Sequence, residues 1–204
     1  LLSNGRYAVM ITAAGGGYSR RRELGLTRWR EDATRDVGGV FVYLRDRTSG
    51  RRWSAGHHPT CVEADAYEAT FSEDRARISR RDGPVATTME VLVSPEDDAE
   101  IRRVSVANRG SRMREIEVTC YLEPLLTTFA ADAAHPAFSN LFIETEWEAA
   151  AETLLASRRP RSPEETRPWL ALTAAVEGES VGPAEWESDR GQFIGRGRSV
   201  RAPL

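Results

Sequence analysis

Hydrophobic and polar residues alternate along most of this chain. In "MREIEVTCYL", Ile116, Val118, Cys120 and Leu122 fall on one side of an extended backbone, with Glu115, Glu117, Thr119 and Tyr121 on the other. In "VATTMEVLVS", Val85, Thr87, Met89, Val91 and Val93 share a side. A period of two marks half-buried antiparallel strands, because successive Cβ atoms point to opposite faces. Further strands are predicted over 6–13, 40–46, 67–72, 75–81, 101–107, 141–147, 153–157 and 169–176.

Turn signals separate these runs: Ser49-Gly50, Asp82-Gly83-Pro84, Ser94 to Asp98, Asn108-Arg109-Gly110 and Glu177-Gly178. Strands at roughly ten-residue spacing with such breaks predict an all-β fold, a large antiparallel two-sheet β-sandwich. The length of 204 residues suits one such domain over 1–204. Only "EWEAAAETLL" favours helix by composition. Thr145 and Trp147 continue a preceding strand, so it reads as strand–loop–strand.

Three stretches break the alternation: 14–39, 53–66 and 124–140. On a sandwich, function concentrates in such irregular segments. A fourth, "RRPRSPEETRP" at 158–168, reads as an exposed connector.

Composition narrows the function classes. All 28 basic residues are Arg, interleaved with 31 acidic ones, for a net charge of −3. No uniformly basic face follows, which argues against nucleic-acid binding. Cys61 and Cys120 lack paired spacing and read as two small apolar residues in a reducing compartment, with a single disulfide between them as the alternative. No apolar run approaches the ~18 residues of a membrane span, so no membrane contact and a cytoplasmic setting are expected. The chain starts "LLSNGRY" and ends "SVRAPL". It reads as a fragment of a longer, multidomain chain.

The candidate chemistry centres on "ITAAGGGYSRRRELGLTRWREDATRD". Gly15, Gly16 and Gly17 could form a nest of backbone N–H groups for an anion, or supply positive φ angles and close backbone approach. The second reading is favoured, since no Lys and no amphipathic helix follow to complete a nucleotide loop. Trp29 between Arg28 and Arg30 offers an aromatic face with planar donors, suited to a sugar ring and its hydroxyls. Glu31 and Asp32 could orient those arginines. A surface salt-bridge network with Trp29 packed on the sandwich is the alternative. The carboxylate pairs Asp97-Asp98, Glu164-Glu165 and Glu73-Asp74 sit in turn-like contexts, unlike a buried acid. His57, His58 and His135 are the only histidines, and the adjacent pair should diverge on an extended chain, so no metal site is expected. No catalytic residue and no cofactor is predicted.

Several stretches, in order along the chain, resemble the amino-terminal β-sandwich of glycoside hydrolase family 94, the inverting glycoside phosphorylases. They are "LLSNGRYAVMITAAGGGYS", "LTRWREDATRD", "FVYLRD", "WSAGHHPT", "YEATFSEDRARISRRDG", "VSPEDDAEIRRVSVANRG", "REIEVTCYLEPLL", "DAAHPAFSNLFIETEW" and "LLASRRPRSPEE". Trp29 with Glu31-Asp32 sides with the phosphorylase-like region of the cyclic β-1,2-glucan synthases. The resemblance implies a galactose mutarotase-like supersandwich followed, in the parent chain, by an (α/α)6 barrel. That barrel would carry the general acid and most phosphate-binding residues, with inorganic phosphate as the parent's co-substrate. The sandwich would be a non-catalytic accessory domain that supports the barrel, borders its sugar site and contributes to a homodimer. The implied partner is a β-glucan oligosaccharide. The implied parent is a glycosyltransferase or glycoside phosphorylase, with anchorage in the bacterial inner membrane left open. By position, the loops expected near glucan are Gly15, Gly16, Gly17, Tyr18 and Ser19; Thr27 to Asp36, with Arg28, Trp29, Arg30, Glu31, Asp32 and Arg35; and His135 to Phe138. A free-standing β-glucan-binding module and a purely structural or dimerising sandwich remain the alternatives.

Overall fold

The computed structural model describes residues 1–30 and 38–204. The expected site residues Glu31, Asp32 and Arg35 lie outside the described residues. The chain folds as two compact units, Leu1–Glu123 and Pro124–Leu204.

The first unit is built of β1 (Leu2–Ser3), β2 (Tyr7–Ile11), β3 (Gly17–Arg21), β4 (Leu24–Thr27), β5 (Phe41–Asp46), β6 (Arg52–Ser54), β7 (Ala66–Phe71), β8 (Arg75–Asp82), β9 (Val85–Val93), β10 (Glu100–Asn108) and β11 (Ile116–Tyr121). The strands pair antiparallel in the orders β1-β2-β3-β4, β10-β9-β8-β7 and β11-β5-β6. This is the antiparallel all-β class that the alternation predicts.

The β8–β9 hairpin shows how closely pattern becomes structure. Asp82 pairs with Val85 across the turn, and Gly83 takes the positive φ of 60° that the turn needs. Ala76 and Ile78 of β8 are buried, as are Val85, Thr87, Met89 and Val91 of β9. Val9, Phe41, Leu44 and Trp53 are likewise almost wholly withdrawn from water. Each such side chain contributes about 1.5–3 kcal/mol by burial.

The face of β11 departs from expectation. Ile116 is half-buried, but Val118 and Cys120 are exposed, Val118 by 51%. Glu117 on the opposite side is held by Arg47 at 3.1 Å. The strand lies at the edge of its sheet, and no second layer covers this apolar side among the described residues. Alternation identifies an apolar face; it does not say what covers it. Cys61 and Cys120 are both free thiols.

The second unit contains β12 (Pro124–Thr127), α1 (Phe129–Ala134), α2 (Pro136–Asn140), β13 (Ile143–Glu148), β14 (Thr153–Arg158), β15 (Trp169–Thr173) and α3 (Arg190–Ile194). Strands β13, β14 and β15 form an antiparallel sheet in that order. "EWEAAAETLL" is thus strand–turn–strand, as predicted. Stretch 124–140 is not a loop, however. The Thr128 hydroxyl caps α1 by accepting from the Ala131 N–H at 3.2 Å, and Pro136 starts α2. No helix among the described residues is long and apolar enough to cross a membrane.

Candidate functional site

The glycine-rich stretch is a tight connection between β2 and β3, not a long loop. Gly17, Tyr18 and Ser19 belong to β3, paired with Ile11, Met10 and Val9. After a two-residue turn at Arg22-Glu23, the chain returns as β4. Each glycine amide has a protein acceptor: Gly15 N–H donates to Thr12 O at 2.9 Å, Gly16 to Thr12 Oγ1 at 3.1 Å, and Gly17 to Gly38 O at 3.2 Å. No N–H is left for an anion, so the nest reading fails and the close-approach reading stands. Gly15 has φ 92°, and a Cβ there would lie 3.2 Å from the Gly56 Cα. Two backbone segments touch where side chains would keep them apart.

That contact brings two of the irregular stretches together. The His58 N–H donates to Ala14 O at 2.8 Å. The Tyr67 hydroxyl donates to Ala13 O at 2.6 Å and accepts from the His57 N–H at 3.2 Å. Behind the loop, the Arg80 guanidinium donates to Ser54 O, Gly56 O and Val62 O at 2.9, 2.7 and 3.1 Å. His57 and His58 do not diverge as an extended chain would require. Their rings meet edge-on with centroids 5.4 Å apart, because 57–61 folds into a turn. The His58 Nδ1 lies 3.6 Å from the Cys61 sulfur. No group of three or more metal-ligating side chains occurs among the described residues.

The Arg–Trp–Arg segment follows β4 on the same unit. Trp29 is half-buried, with its ring 5.5 Å from that of Tyr18 at 52°. Its indole N–H is buried without an acceptor among the described residues. Gly38 leaves room for it: a Cβ there would lie 2.8 Å from the Trp29 Cα. Arg28 is mostly covered and pairs with Glu123 at 3.4 Å, and its N–H donates to Glu123 O at 2.9 Å. Arg30 is exposed. Of the expected platform, therefore, Trp29 is partly packed on Tyr18, Arg28 is anchored, and Arg30 faces solvent. Ser19 is core: it is 1% exposed, and its hydroxyl donates to Glu100 Oε2 at 2.5 Å.

His135 lies in the second unit, at the junction of α1 and α2. With Ala131, Ala134, Phe138, Ser139 and Arg161 it lines a cavity of about 210 Å³. Phe138 is half exposed and meets Phe142 edge-on at 5.0 Å. Arg158, at the end of β14, is buried and donates to Ser139 O at 3.0 Å and Ser139 Oγ at 3.2 Å. The role of Arg161 beside His135 was not visible in the sequence, where 158–168 reads as a connector.

Acidic groups from the weighed pairs are held ionised rather than protonated. Hydrogen bonds from Arg75 and Ser72 bring the Asp74 carboxyl down to about 2. The Arg21 guanidinium holds Asp98 below the usual carboxylate range, and the Ser162 hydroxyl does the same for Glu164. These directions are opposite to what a general acid needs.

Comparison with known proteins defines the class. The model of the glycosyl hydrolase 94 supersandwich domain matches residues 1–204, and the chain belongs to that family. It is 38% identical over 200 residues to the cyclic beta-(1,2)-glucan synthase NdvB of Rhizobium meliloti (strain 1021), a match covering 98% of this chain and 7% of that protein. It is 26% identical over 166 residues to the solabiose phosphorylase of Paenibacillus borealis, covering 81% of this chain and 20% of that one. With the N,N'-diacetylchitobiose phosphorylase of Vibrio furnissii it shares 23% identity over 208 residues, covering 100% and 25%. The chain therefore spans a quarter or less of each of these relatives.

Proposed function

We propose that this chain is a non-catalytic accessory domain of a β-1,2-glucan-processing phosphorylase or cyclic β-1,2-glucan synthase. It would support a helical-barrel catalytic domain and form one wall of that domain's sugar site. Inorganic phosphate would be a co-substrate of the parent enzyme, held by the barrel. The observation that carries this reading is the match along the whole chain to the family's supersandwich domain, together with a relative that makes cyclic β-(1,2)-glucan by name. The geometry supports it in kind. The turn at Gly15–Gly17 and the loop at 55–61 are tied by backbone contacts, and Gly38 links the turn to the Arg28–Trp29 segment. A wall of this sort needs rigidity, and Arg80, Tyr67 and the glycines supply it.

Calorimetric titration with sophorose and longer β-1,2-glucan oligosaccharides tests the reading. An accessory wall holds half a site, so this chain alone should bind them weakly or not at all, and should not cleave them with phosphate. Micromolar binding lost in Trp29→Ala would instead identify a free-standing binding module. Phosphorolysis by the chain itself would overturn the non-catalytic assignment.

A further inference from the structure

The cavity at the α1–α2 junction is lined by apolar groups and by Ser139, His135 and Arg161, with no carboxylate among its lining residues. The Ser139 carbonyl and hydroxyl oxygens both accept from Arg158, which leaves the hydroxyl O–H to donate. Beside it are the His135 imidazole, which makes no side-chain hydrogen bond among the described residues, and the Arg161 guanidinium. Arg161 lies 5.5 Å from the centroid of the Phe142 ring, and Arg159 lies 5.4 Å from the same ring. Neither guanidinium has a carboxylate partner among the described residues. The nearby Glu165 carboxylate is directed to the Arg161 backbone N–H at 2.6 Å, and Glu164 to Ser162. Elsewhere the arginines are commonly matched with acids, as at Arg75–Asp74, Arg80–Asp82, Arg102–Glu100 and Arg114–Asp46.

With Arg158 at 5.2 Å, three cations gather on the Phe142 ring, and the ring's quadrupole only partly offsets their mutual repulsion. A bound oxyanion would offset the rest, because planar guanidinium forks match two oxygens of a phosphate or carboxylate. The exposed Phe138 ring and the Ala131 and Ala134 methyls give the cavity an apolar wall, suited to whatever carries the anion. We propose that the pocket lined by His135, Phe138 and Arg161, with Arg159 on the Phe142 ring close by in sequence, binds a small oxyanion, phosphate or carboxylate, free or attached to a sugar. The proposal does not depend on the glucan-wall reading.

Titration of the 204-residue chain with inorganic phosphate, glucuronate and glucose, followed by amide NMR shifts, tests the proposal. Phosphate or glucuronate should saturate, moving amides of 134–142 and 158–162, while glucose leaves them unmoved. Preference for phosphate identifies a phosphoryl group, and preference for glucuronate identifies an acidic sugar. Arg161→Gln should weaken that binding at least tenfold, Arg159→Gln severalfold, and Trp29→Ala not at all. Equal shifts from glucose, or binding that survives Arg161→Gln and Arg159→Gln together, would overturn it. So would the absence of saturable shifts with either anion.

Discussion

Arg80 donates to both carboxylate oxygens of Asp82, at 2.7 and 2.8 Å, although neither side chain is more than 1% exposed. Its remaining donors go to three backbone carbonyls, so all five N–H groups of the guanidinium are used. Arg51 approaches Asp82 from the solvent side at 3.2 Å. A buried pair is worth little against an apolar replacement, but breaking one by removing a single partner is costly.

Arg80→Ala should therefore destabilise the chain by about 3–5 kcal/mol, since it leaves the buried Asp82 charge with only the half-exposed Arg51 and strands three carbonyls. Arg80→Lys should recover only part, because an ammonium cannot span the same fork. Urea denaturation of both variants checks this. A loss under about 1 kcal/mol for Arg80→Ala would show that water replaces the guanidinium.

The glycines around the β2–β3 turn should separate into two kinds. A Cβ at Gly17 would overlap the Met10 carbonyl oxygen, and one at Gly56 would lie 2.7 Å from the Ala14 oxygen. Both contacts are with backbone, which cannot swing aside. Gly5 has φ 88° but nothing within 4 Å of the added carbon. Gly17→Ala and Gly56→Ala should cost roughly 3 kcal/mol or more, and Gly5→Ala only about 1 kcal/mol. Thermal melts of the three variants would show the order, and comparable losses would contradict it.

How much of this was legible in the sequence depended on what held each element in place. Strands β8 and β9 were legible because their burial is side-chain burial, and Met89 and Val91 announce it. Strand β3, "GYSRR", carries no apolar alternation; it is placed by backbone approach at Gly17 and by the Ser19–Glu100 bond. Arg80 and Asp82 were hidden for a related reason. They share the parity of Ala76 and Ile78, yet read as solvent-facing charges until their partners are known. The helices α1 and α2 have local signals, Thr128 as cap and Pro136 at the first turn, but are too short to show a helical period beside the alternation. At the candidate site, the aromatic–arginine character of 28–30 was readable, but not that Trp29 would lean on Tyr18 or that Glu123 would hold Arg28. Arg161 beside His135 depends on the fold of the second unit and leaves no local signature.

Acid should remove a definite part of the stability through Asp46. Burial opposes its charge, but bonds from the Ser49 and Thr48 N–H groups, the Ser49 hydroxyl and Arg114 outweigh it and hold its carboxyl below the usual range. A depressed folded-state value means stability that is present above the unfolded value near ~4 and lost as pH falls below it. Asp46→Asn should be about 1–2 kcal/mol less stable at neutral pH, and the gap should close as pH falls below about 4. Chemical denaturation at pH 7, 4 and 3 reads this directly, and a gap independent of pH would rule Asp46 out as the source.

The Tyr67 hydroxyl bonds both the 12–16 turn and the 55–61 loop through a single atom, donating to Ala13 O and accepting from the His57 N–H. Burial pushes its own ionisation upward, so the phenol stays protonated and donating across the neutral range. Tyr67→Phe removes one donor and one acceptor at a half-exposed position, where water can replace part of each bond. The cost to global stability should therefore be small, about 1 kcal/mol. The local effect should be larger, because the His57 amide loses its acceptor. Hydrogen exchange at residues 13–16 and 57–61 should speed up severalfold in Tyr67→Phe while the amides of β8 and β9 keep their protection. Uniform acceleration across the unit would mean that the hydroxyl stabilises the whole fold, and no acceleration would mean that the Gly15–Gly56 contact and Arg80 hold the two segments together without it.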